Sequence, residues 1–343
     1  MLTVLIATHN GTDTLGRTLE QFCALVPPPG GWKLLVVNNA STDRTEELVL
    51  SFRNRLPLEY LLEPRLGKPY ALNTGLDHIS GDLVVFADDD VLPDPDWLIA
   101  WRDAVDRYPE CSIFGGAIDL LYERDPPEWL PRTGWERILF GRSHAWPEGP
   151  APLECAFGAN MAMRATALAD SARFDERFFA GPLGIMGEET DLVHRLAARG
   201  YRVCFAPAAR VRHIVDPRQL TWRWMLKRFY RFGKSQFTFE VQWNGRQAPE
   251  ILRAPRYLIR RVISSAAMVP ILLLSCDGFR IFSHLRPIAH DLGGIMQSRA
   301  LHKQAIWRNS GWPGGPATAI GGAAGPTVPP RGQDNADRSD RDA

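Results

Sequence analysis

The stretch GDLVVFADDDVLPDPDWL, residues 81–98, joins a short apolar run to three consecutive aspartates. The apolar run has no polar alternation, which indicates a strand buried on both faces, as in a parallel sheet covered by helices. Asp88, Asp89 and Asp90 then follow the carboxyl end of that strand, which is the edge where ligands bind in open α/β sheets. The stretch therefore predicts a fold class and the position of a ligand site.

Three adjacent carboxylates repel one another unless a cation offsets their charge. Oxygen ligands of this kind suit Mg²⁺ or Mn²⁺, and a site of one or two carboxylates leaves positions open for substrate phosphates. An acidic turn in front of the helix expected near Trp97 explains the triplet equally well. Both interpretations stay open at the level of these residues.

Strand-like and helix-like segments alternate from the N-terminus to this stretch. The apolar runs LTVLIATHN, WKLLVVNNAS, LEYLLEP and DLVVFADDD are separated by three helical patterns. This order predicts an α/β fold with a mostly parallel sheet between helices. Thr8 and Asn10 follow the first strand and Asn38 follows the second, so we expect them at the same edge as the aspartates.

A second acidic group comes later, in GEETDLVHRLAARG, residues 187–200. A glycine-rich loop leads into Glu188 and Glu189, and an amphipathic helix follows with Gly200 as its expected C-cap. Acids at a helix N-terminus are common because they complement the helix dipole. A flexible loop that carries acids is also typical of a mobile active-site segment, and the two interpretations stay open.

The C-terminal third has a different charge from the rest. Residues 1–209 hold 19 Lys and Arg against 30 Asp and Glu, whereas residues 210–309 hold 18 against 5, although the whole chain has a net charge of only +1. Residues 221–240 form an aromatic, basic helix, and residues 262–276 are apolar but short for a membrane span. We expect peripheral membrane contact through 221–285, with a buried helix of the main fold as the alternative.

The five cysteines have no paired spacing, so the sequence predicts neither a zinc site nor a disulfide framework, and a reducing compartment fits. The N-terminus MLTVLIATHN reads as a strand rather than a signal peptide. We therefore expect a cytoplasmic protein that contacts the inner face of the cell membrane peripherally. The low-complexity residues 310–343 are expected to be disordered.

Six segments in order give the chain a specific resemblance: VLIATHNGTDTLGRTLE, LLVVNNASTD, EPRLGKPYALNTGL, GDLVVFADDDVLPDPDWL, FGANMAMRATAL and GEETDLVHRLAARG. Together they resemble glycosyltransferase family 2, the inverting nucleotide-sugar enzymes of the GT-A fold. The resemblance implies a Rossmann-like, mixed but mostly parallel sheet flanked by helices, with a C-terminal helical extension. It implies a catalytic domain over 1–215, made of a nucleotide-sugar half (1–95) and an acceptor half (96–215), followed by the helical extension over 216–309.

The resemblance also implies a metal site in the aspartate triplet. The family's DxD motif falls on Asp88 and Asp90. Asp90 would bind the Mn²⁺ or Mg²⁺ that bridges the diphosphate, and Asp88 would reach the ribose or a metal-bound water. His213 matches a position that supplies a further metal ligand in some GT-A enzymes. A Lewis acid suits this chemistry, because departure of a nucleoside diphosphate develops negative charge.

The donor contacts implied by the resemblance lie on three loops. Thr8, Asn10 and Asn38 would contact the base and ribose, and Arg65 and Lys68 would lie near the base and diphosphate. The family commonly has Asp where this chain has Asn38, so its base recognition differs in the arrangement of hydrogen-bond donor and acceptor. A UDP-sugar is the favoured donor class, and Arg65 and Lys68 are equally well explained as surface cations on a turn.

The acceptor side is implied by two further segments. Glu189 takes the place of the family's general base, usually Asp, and would accept the proton of an acceptor hydroxyl in a single displacement. Glu188 would orient the acceptor, and Asn160 would line the donor and acceptor pocket. The expected acceptor is a glycan or a lipid-linked sugar, in the synthesis of cell-surface glycan or exopolysaccharide.

Three other functions are weighed against this one. A nucleotidyltransferase of similar architecture usually has a lysine near the first strand, and ATHNGTDTLG has none. A catalytically inactive nucleotide-binding or scaffold protein would explain the departures at Asn38 and Glu189, but not the acids at Asp88 and Asp90. Nucleic-acid binding is not expected, because the crevice is acidic and no binding module is recognisable.

Overall fold

The computed structural model describes residues 1–130, 135–143, 146–169, 172–178, 185–244, 248–274 and 277–303. The tail expected to be disordered, 310–343, and Cys276 lie outside the described residues.

The described elements alternate strands and helices through the first half of the chain and are mainly helical after Val215. The strands are β1 (Leu2–Thr8), β2 (Trp32–Asn39), β3 (Leu58–Glu63), β4 (Leu83–Ala87), β5 (Val91–Pro93), β6 (Cys111–Tyr122), β7 (Gly149–Pro150), β8 (Asn160–Arg164), β9 (Arg202–Val215), β10 (Glu250–Ile251) and β11 (Ala254–Pro255). The helices are α1 (Leu15–Cys23), α2 (Thr45–Ser51), α3 (Lys68–Leu76), α4 (Trp97–Arg107), α5 (Glu136–Phe140), α6 (Ala165–Leu168), α7 (Glu188–Ala198), α8 (Trp222–Asn244), α9 (Arg256–Leu273) and α10 (Gly278–Lys303).

Within the described residues, one mixed sheet has the strand order β3-β2-β1-β4-β8-β6-β9-β5, with β7 paired to β9. Strand β1 pairs in parallel with β2 and with β4, and β2 pairs in parallel with β3. Strand β8 lies between β4 and β6 and is antiparallel to both. The expected α/β architecture with a mostly parallel first half is confirmed. The carboxyl ends of β1, β2 and β4 meet at one edge, as the sequence predicted.

The sheet is covered by helices on both faces. Leu2, Val4 and Ile6 of β1 pack into one core cluster with α1 and α4, whereas Leu5 packs into the cluster on the other face with α3 and α7. Both sets are fully buried, which explains why the strand reads as continuously apolar. Packing on both faces thus holds the strands in place and sets the position of the sheet edge that carries the polar loops.

The C-terminal helices pack against the sheet domain through an aromatic cluster. Phe282 of α10 lies 5.1 Å from Trp129 and 5.4 Å from Trp135, measured between ring centroids. Helices α8 and α10 cross so closely at Gly233 that an added Cβ would lie 1.8 Å from the His290 carbonyl oxygen, and only glycine fits there. In the part of the chain that the structure describes, no helix has the length and apolar content needed to cross a membrane.

The sequence predicted no disulfide framework, and this prediction is wrong for one pair of cysteines. Cys111 at the start of β6 and Cys204 in β9 form a disulfide, with their Cα atoms 6.0 Å apart and a sequence separation of 93. Strands β6 and β9 are parallel neighbours, so the sheet brings together two cysteines that share no local spacing pattern. Cys23 and Cys155 remain free thiols.

Candidate active site

The first loop and the aspartate triplet are joined directly at the sheet edge. β1 and β4 are paired in parallel, and the Thr8 hydroxyl donates a hydrogen bond to the Asp89 carboxylate. A Cβ added at Gly11 would lie 2.3 Å from the Thr8 Oγ1 atom and 3.0 Å from Asp89 Oδ2, so only glycine allows this loop to approach so closely. Thr8 therefore positions the triplet as well as lining the crevice.

Asp88 is held by the cation that begins α3. The Lys68 Nζ atom lies 2.5 Å from Asp88 Oδ1, and the two side chains are 32% and 26% exposed. Burial disfavours the charged forms, but Lys68 lowers the pKa of Asp88 and Asp88 raises the pKa of Lys68. Asp88 is thus an anion already paired with a protein cation, and Lys68 lies beside the triplet; its predicted contact with the base and diphosphate stays a prediction.

Asp90 and His213 form the second pair of the site. Asp90 precedes β5, whose antiparallel pairing with β9 places Val91 opposite His213. The His213 Nε2 atom lies 3.1 Å from Asp90 Oδ2, and its Nδ1 atom lies 2.6 Å from the Phe140 carbonyl oxygen. Although burial opposes protonation, Asp90 raises the pKa of His213 to about 9.

This pair provides atoms that a divalent cation would use. Asp90 Oδ1 is buried and has no hydrogen-bond partner among the described residues. The Phe140 carbonyl can accept a hydrogen bond from the Nδ1–H group of His213, which leaves Nε2 as the atom able to bind a metal once its own proton leaves. An orphaned carboxylate oxygen beside an imidazole nitrogen fits Mn²⁺ or Mg²⁺.

Asp89 has a role that the sequence did not indicate. Burial, followed by the neighbouring charge of Asp90, raises the pKa of Asp89 to about 7. Its carboxylate accepts from Thr8 and its backbone carbonyl accepts from the Thr18 hydroxyl, so it links the β1 loop and α1 to the triplet. A three-residue acidic run contains no local pattern that distinguishes this linking carboxylate from the two beside it.

The second acidic group begins α7. Gly187 precedes the helix with φ of +97°, which turns the chain sharply before Glu188. Glu188 is buried, and Glu189 is partly exposed and lies over Gly158, where an added Cβ would be 3.7 Å from its carboxyl carbon. Burial and the charge of Glu188 raise the pKa of Glu189 to about 7, while Lys68 acts in the opposite direction. The base candidate and the Lys68–Asp88 pair therefore belong to one electrostatic cluster.

The amides of the first two loops bind the protein itself. Asn38 Oδ1 accepts from the Ser41 backbone N–H at 3.1 Å, and Asn38 Nδ2 donates to the Tyr60 hydroxyl at 3.0 Å. Asn10 Oδ1 accepts from the Thr42 backbone N–H at 2.8 Å. These contacts shape the loops, so the roles of Asn10 and Asn38 toward a base remain predictions.

Arg65, another of the predicted donor contacts, is exposed. Its guanidinium pairs with both oxygens of Glu63 and lies 4.4 Å above the ring of Tyr70, while 56% of its side chain is exposed. Asn39, which the sequence did not single out, accepts from the Gly67 backbone N–H and donates to the Arg65 carbonyl, each at 2.7 Å. The loop before α3 is therefore held by Asn39, and Arg65 faces outward.

Asn160 lies in the core rather than in a pocket. It is 0% exposed, its Oδ1 accepts from Trp97 Nε1 at 2.9 Å, and its Nδ2 donates to the carbonyls of Ala117 and Ala209. All three contacts are with the protein, so the acceptor contact predicted for Asn160 is not retained. The resemblance could not tell a buried amide from one that lines a pocket.

Comparison with known proteins agrees with this geometry. The sequence model described as "Glycosyl transferase family 2" matches residues 3–170. The succinoglycan biosynthesis protein ExoM of Rhizobium meliloti (strain 1021) is 25% identical over 225 residues, which cover 64% of this chain and 69% of ExoM. The glycosyltransferase AglE of Haloferax volcanii is 24% identical over 237 residues, covering 68% of this chain and 72% of AglE.

Solved structures share the fold. The mannosyltransferase PcManGT from Pyrobaculum calidifontis, in complex with GDP-Man and Mn²⁺, superposes with a TM-score of 0.52 at 20% identity, covering 89% of this chain and 75% of that one. Residues 1–349 of S. aureus TarS, in complex with UDP, superpose with a TM-score of 0.50 at 14% identity, covering 91% and 94%. With the sheet, the acidic edge and the family match in agreement, residues 3–170 of the chain belong to glycosyltransferase family 2.

Proposed function

We propose that this protein is an inverting, metal-dependent glycosyltransferase that moves a sugar from a nucleoside diphosphate to an acceptor hydroxyl. The observation that carries the proposal is the single cluster formed by Glu189, Lys68 and Asp88 beside the Asp90–His213 pair. A carboxylate with a pKa of about 7 suits a general base near neutral pH, and an orphaned carboxylate oxygen suits a cation.

In the proposed reaction, Glu189 accepts the proton of the acceptor hydroxyl as that oxygen attacks the anomeric carbon. The bond between the anomeric carbon and the diphosphate oxygen breaks on the opposite face, and its electron pair stays with the leaving nucleoside diphosphate. A divalent cation, when bound by Asp90 and His213 with Asp88 nearby, would stabilise that negative charge. Glu188 would orient the acceptor, and Thr8 and Lys68 would hold the donor side in register.

For the donor, a UDP-sugar is the favoured class. TarS was solved in complex with UDP and PcManGT with GDP-Man and Mn²⁺, which supports a nucleotide-sugar donor without choosing the base. The loop amides Asn10 and Asn38, which we propose as base contacts, are already engaged with backbone and tyrosine groups. Base selection would then rest on the loop that they shape.

For the acceptor, we propose a glycan or a lipid-linked sugar at a membrane surface. The name of the relative ExoM supports a role in polysaccharide biosynthesis. Ile263 in the middle of α9 is 64% exposed, and Leu273 and Leu274 at its end are 57% and 86% exposed. Arg260 and Arg280 are also exposed. Exposed apolar side chains beside cations suit the headgroup region of an anionic bilayer.

Flotation with vesicles tests the membrane contact. The protein should float with vesicles rich in phosphatidylglycerol and not with phosphatidylcholine alone, and Ile263→Ser with Leu274→Ser should remove the binding. Val26→Ser, which changes an exposed apolar residue of the first half, is the matched control. Equal flotation of the double variant and the control would refute the α9 surface.

The donor site is tested by thermal shift with UDP, GDP, dTDP and CDP, each with and without Mn²⁺. We expect one nucleotide to stabilise the wild type in a metal-dependent way and Asp90→Ala to lose the effect. Asp103→Ala, an exposed acid on α4, should behave as wild type. If no nucleotide raises the melting temperature of the wild type, the result favours the catalytically inactive alternative. If nucleotidyl rather than glycosyl transfer is found, the nucleotidyltransferase alternative replaces this proposal.

A further inference from the structure

One face of α8 lies along the segment that leads to the base. The Ser235 hydroxyl accepts a hydrogen bond from the Met186 backbone N–H at 2.9 Å. One turn further, the Phe239 ring stacks on Phe178, with 5.7 Å between centroids. Two turns before Ser235, the Arg228 Nη1 atom lies 3.3 Å from the Met186 sulfur. Since α8 lies outside the segment matched by the family, the face reaches the crevice from a region with no assigned role.

Arg228 enters the site with unused hydrogen-bonding capacity. Its Nε atom is buried and has no partner in the described part of the chain. A guanidinium has five N–H donors in a planar fork, and a thioether sulfur is a weak acceptor for one of them. An orphaned buried donor is unfavourable unless a ligand completes it. The planar fork of Arg228 therefore suits an anion that can accept two parallel hydrogen bonds, as two oxygens of a phosphate or carboxylate do.

The charges around Arg228 indicate where that anion would lie. Its guanidinium interacts electrostatically with Asp88, Glu188 and Glu189, so it faces the same crevice as the base and the triplet. Lys68, another cation of the crevice, is already paired with Asp88, and Arg231 lies near enough to Arg228 and Glu188 to act on both electrostatically. A nucleoside diphosphate adds further negative charge to this acidic crevice, and a second protein cation would offset it.

We propose that Arg228 binds the diphosphate of the donor and of the departing nucleoside diphosphate, an inference that rests on the proposed function. Arg228 stays protonated throughout, while its N–H groups donate to phosphate oxygens. As the bond from the anomeric carbon to the diphosphate oxygen breaks, the electron pair moves to that oxygen and these hydrogen bonds strengthen. The acceptor proton goes to Glu189, so the step balances without a further reactant.

Calorimetry with pyrophosphate and Mn²⁺ tests the inference without depending on the base. The full chain with Arg228→Gln should bind pyrophosphate about 10- to 100-fold more weakly, the loss expected for charge-assisted hydrogen bonds. Arg228→Lys keeps the charge but lacks the planar fork of N–H donors, so it should lose an intermediate amount of pyrophosphate affinity. This variant replaces Arg228→Gln if the glutamine variant does not fold. Arg223→Gln, an exposed arginine of the same helix, should leave the affinity unchanged.

The pH profile separates binding from a purely structural role. If Arg228 acted only by offsetting Glu188 and Glu189, its removal would shift the acid limb of kcat/KM and leave pyrophosphate affinity unchanged, and that result would overturn the inference. If Arg228→Gln and Arg228→Lys bind pyrophosphate as tightly as the wild type does, the role of Arg228 is refuted and the proposed function is not. A wild type that binds neither pyrophosphate nor any nucleoside diphosphate refutes the proposed function together with it.

Discussion

Replacing Glu189 with Gln keeps the size of the side chain and removes its ability to accept a proton. We expect sugar transfer to fall by about 10²- to 10⁴-fold, the usual contribution of a general base, while the affinity for donor and metal is retained. Glu188→Gln is the comparison, because it removes the neighbouring carboxylate and leaves the base in place. A Glu189→Gln enzyme with full activity would refute the assignment.

The pH dependence gives a second measure of the same residue. Glu189 faces the acids Glu188 and Asp88 and the cations Lys68 and Arg228, and burial with Glu188 raises its pKa from 4.5 to about 7. A base works in its ionised form, so activity is present above this pKa and is lost as the pH falls through it. At pH 6, only about a tenth of Glu189 would be ionised, and kcat/KM would fall about tenfold from its plateau.

The assay follows release of nucleoside diphosphate between pH 5 and 9 at low donor concentration, so that kcat/KM reports the free enzyme. Glu188→Gln removes a charge that raises the pKa of Glu189, so the acid limb should move to lower pH. A limb that lies near pH 4.5 in the wild type, or one that persists in Glu189→Gln, contradicts the reasoning.

Three other changes test the framework of the site. Asn160→Ala leaves Trp97 Nε1 and two carbonyls unpaired in the core, so urea denaturation should show a loss of about 3 to 5 kcal/mol; normal stability with weaker acceptor binding would instead restore an acceptor role. Gly187→Ala adds a Cβ 3.0 Å from the Phe239 ring at a residue with φ of +97°, and should destabilise the fold by about 1 to 2 kcal/mol. The same variant should lower kcat more than it lowers donor affinity. Unchanged kinetics would contradict the role of this turn. Cys204→Ser should lower stability by about 2 to 4 kcal/mol under oxidising conditions only, and equal stability with and without reductant in the wild type would argue against the disulfide.

The sequence was most informative where local pattern decides the structure. The continuous apolar run before Asp88 predicted a buried strand, and the rule for parallel sheets then placed the acidic triplet at the ligand edge. Gly187 and the acids after it likewise marked the start of a helix, which begins at Glu188. These predictions needed no knowledge of distant contacts.

The sequence was least informative where the sheet order decides the contacts. Asn160 is buried because β8 is inserted between β4 and β6, and Cys111 reaches Cys204 because β6 and β9 are neighbours. Arg228 reaches the crevice through the packing of α8 on a loop more than forty residues earlier. Pairings of this kind depend on topology, so periodicity and motif spacing carry no signal for them.

The hydrogen bond from the Met186 backbone to the Ser235 hydroxyl has a consequence for hybrid enzymes assembled from relatives of this chain. A chimera cut between β9 and α8 would carry every acid of the triplet and the base, but the loop before the base would meet a foreign helix. Its turnover would then depend on the borrowed helix as much as on the acids. Diverging family members could equally retune catalysis by exchanging residues on that one helical face, with the acidic edge left untouched.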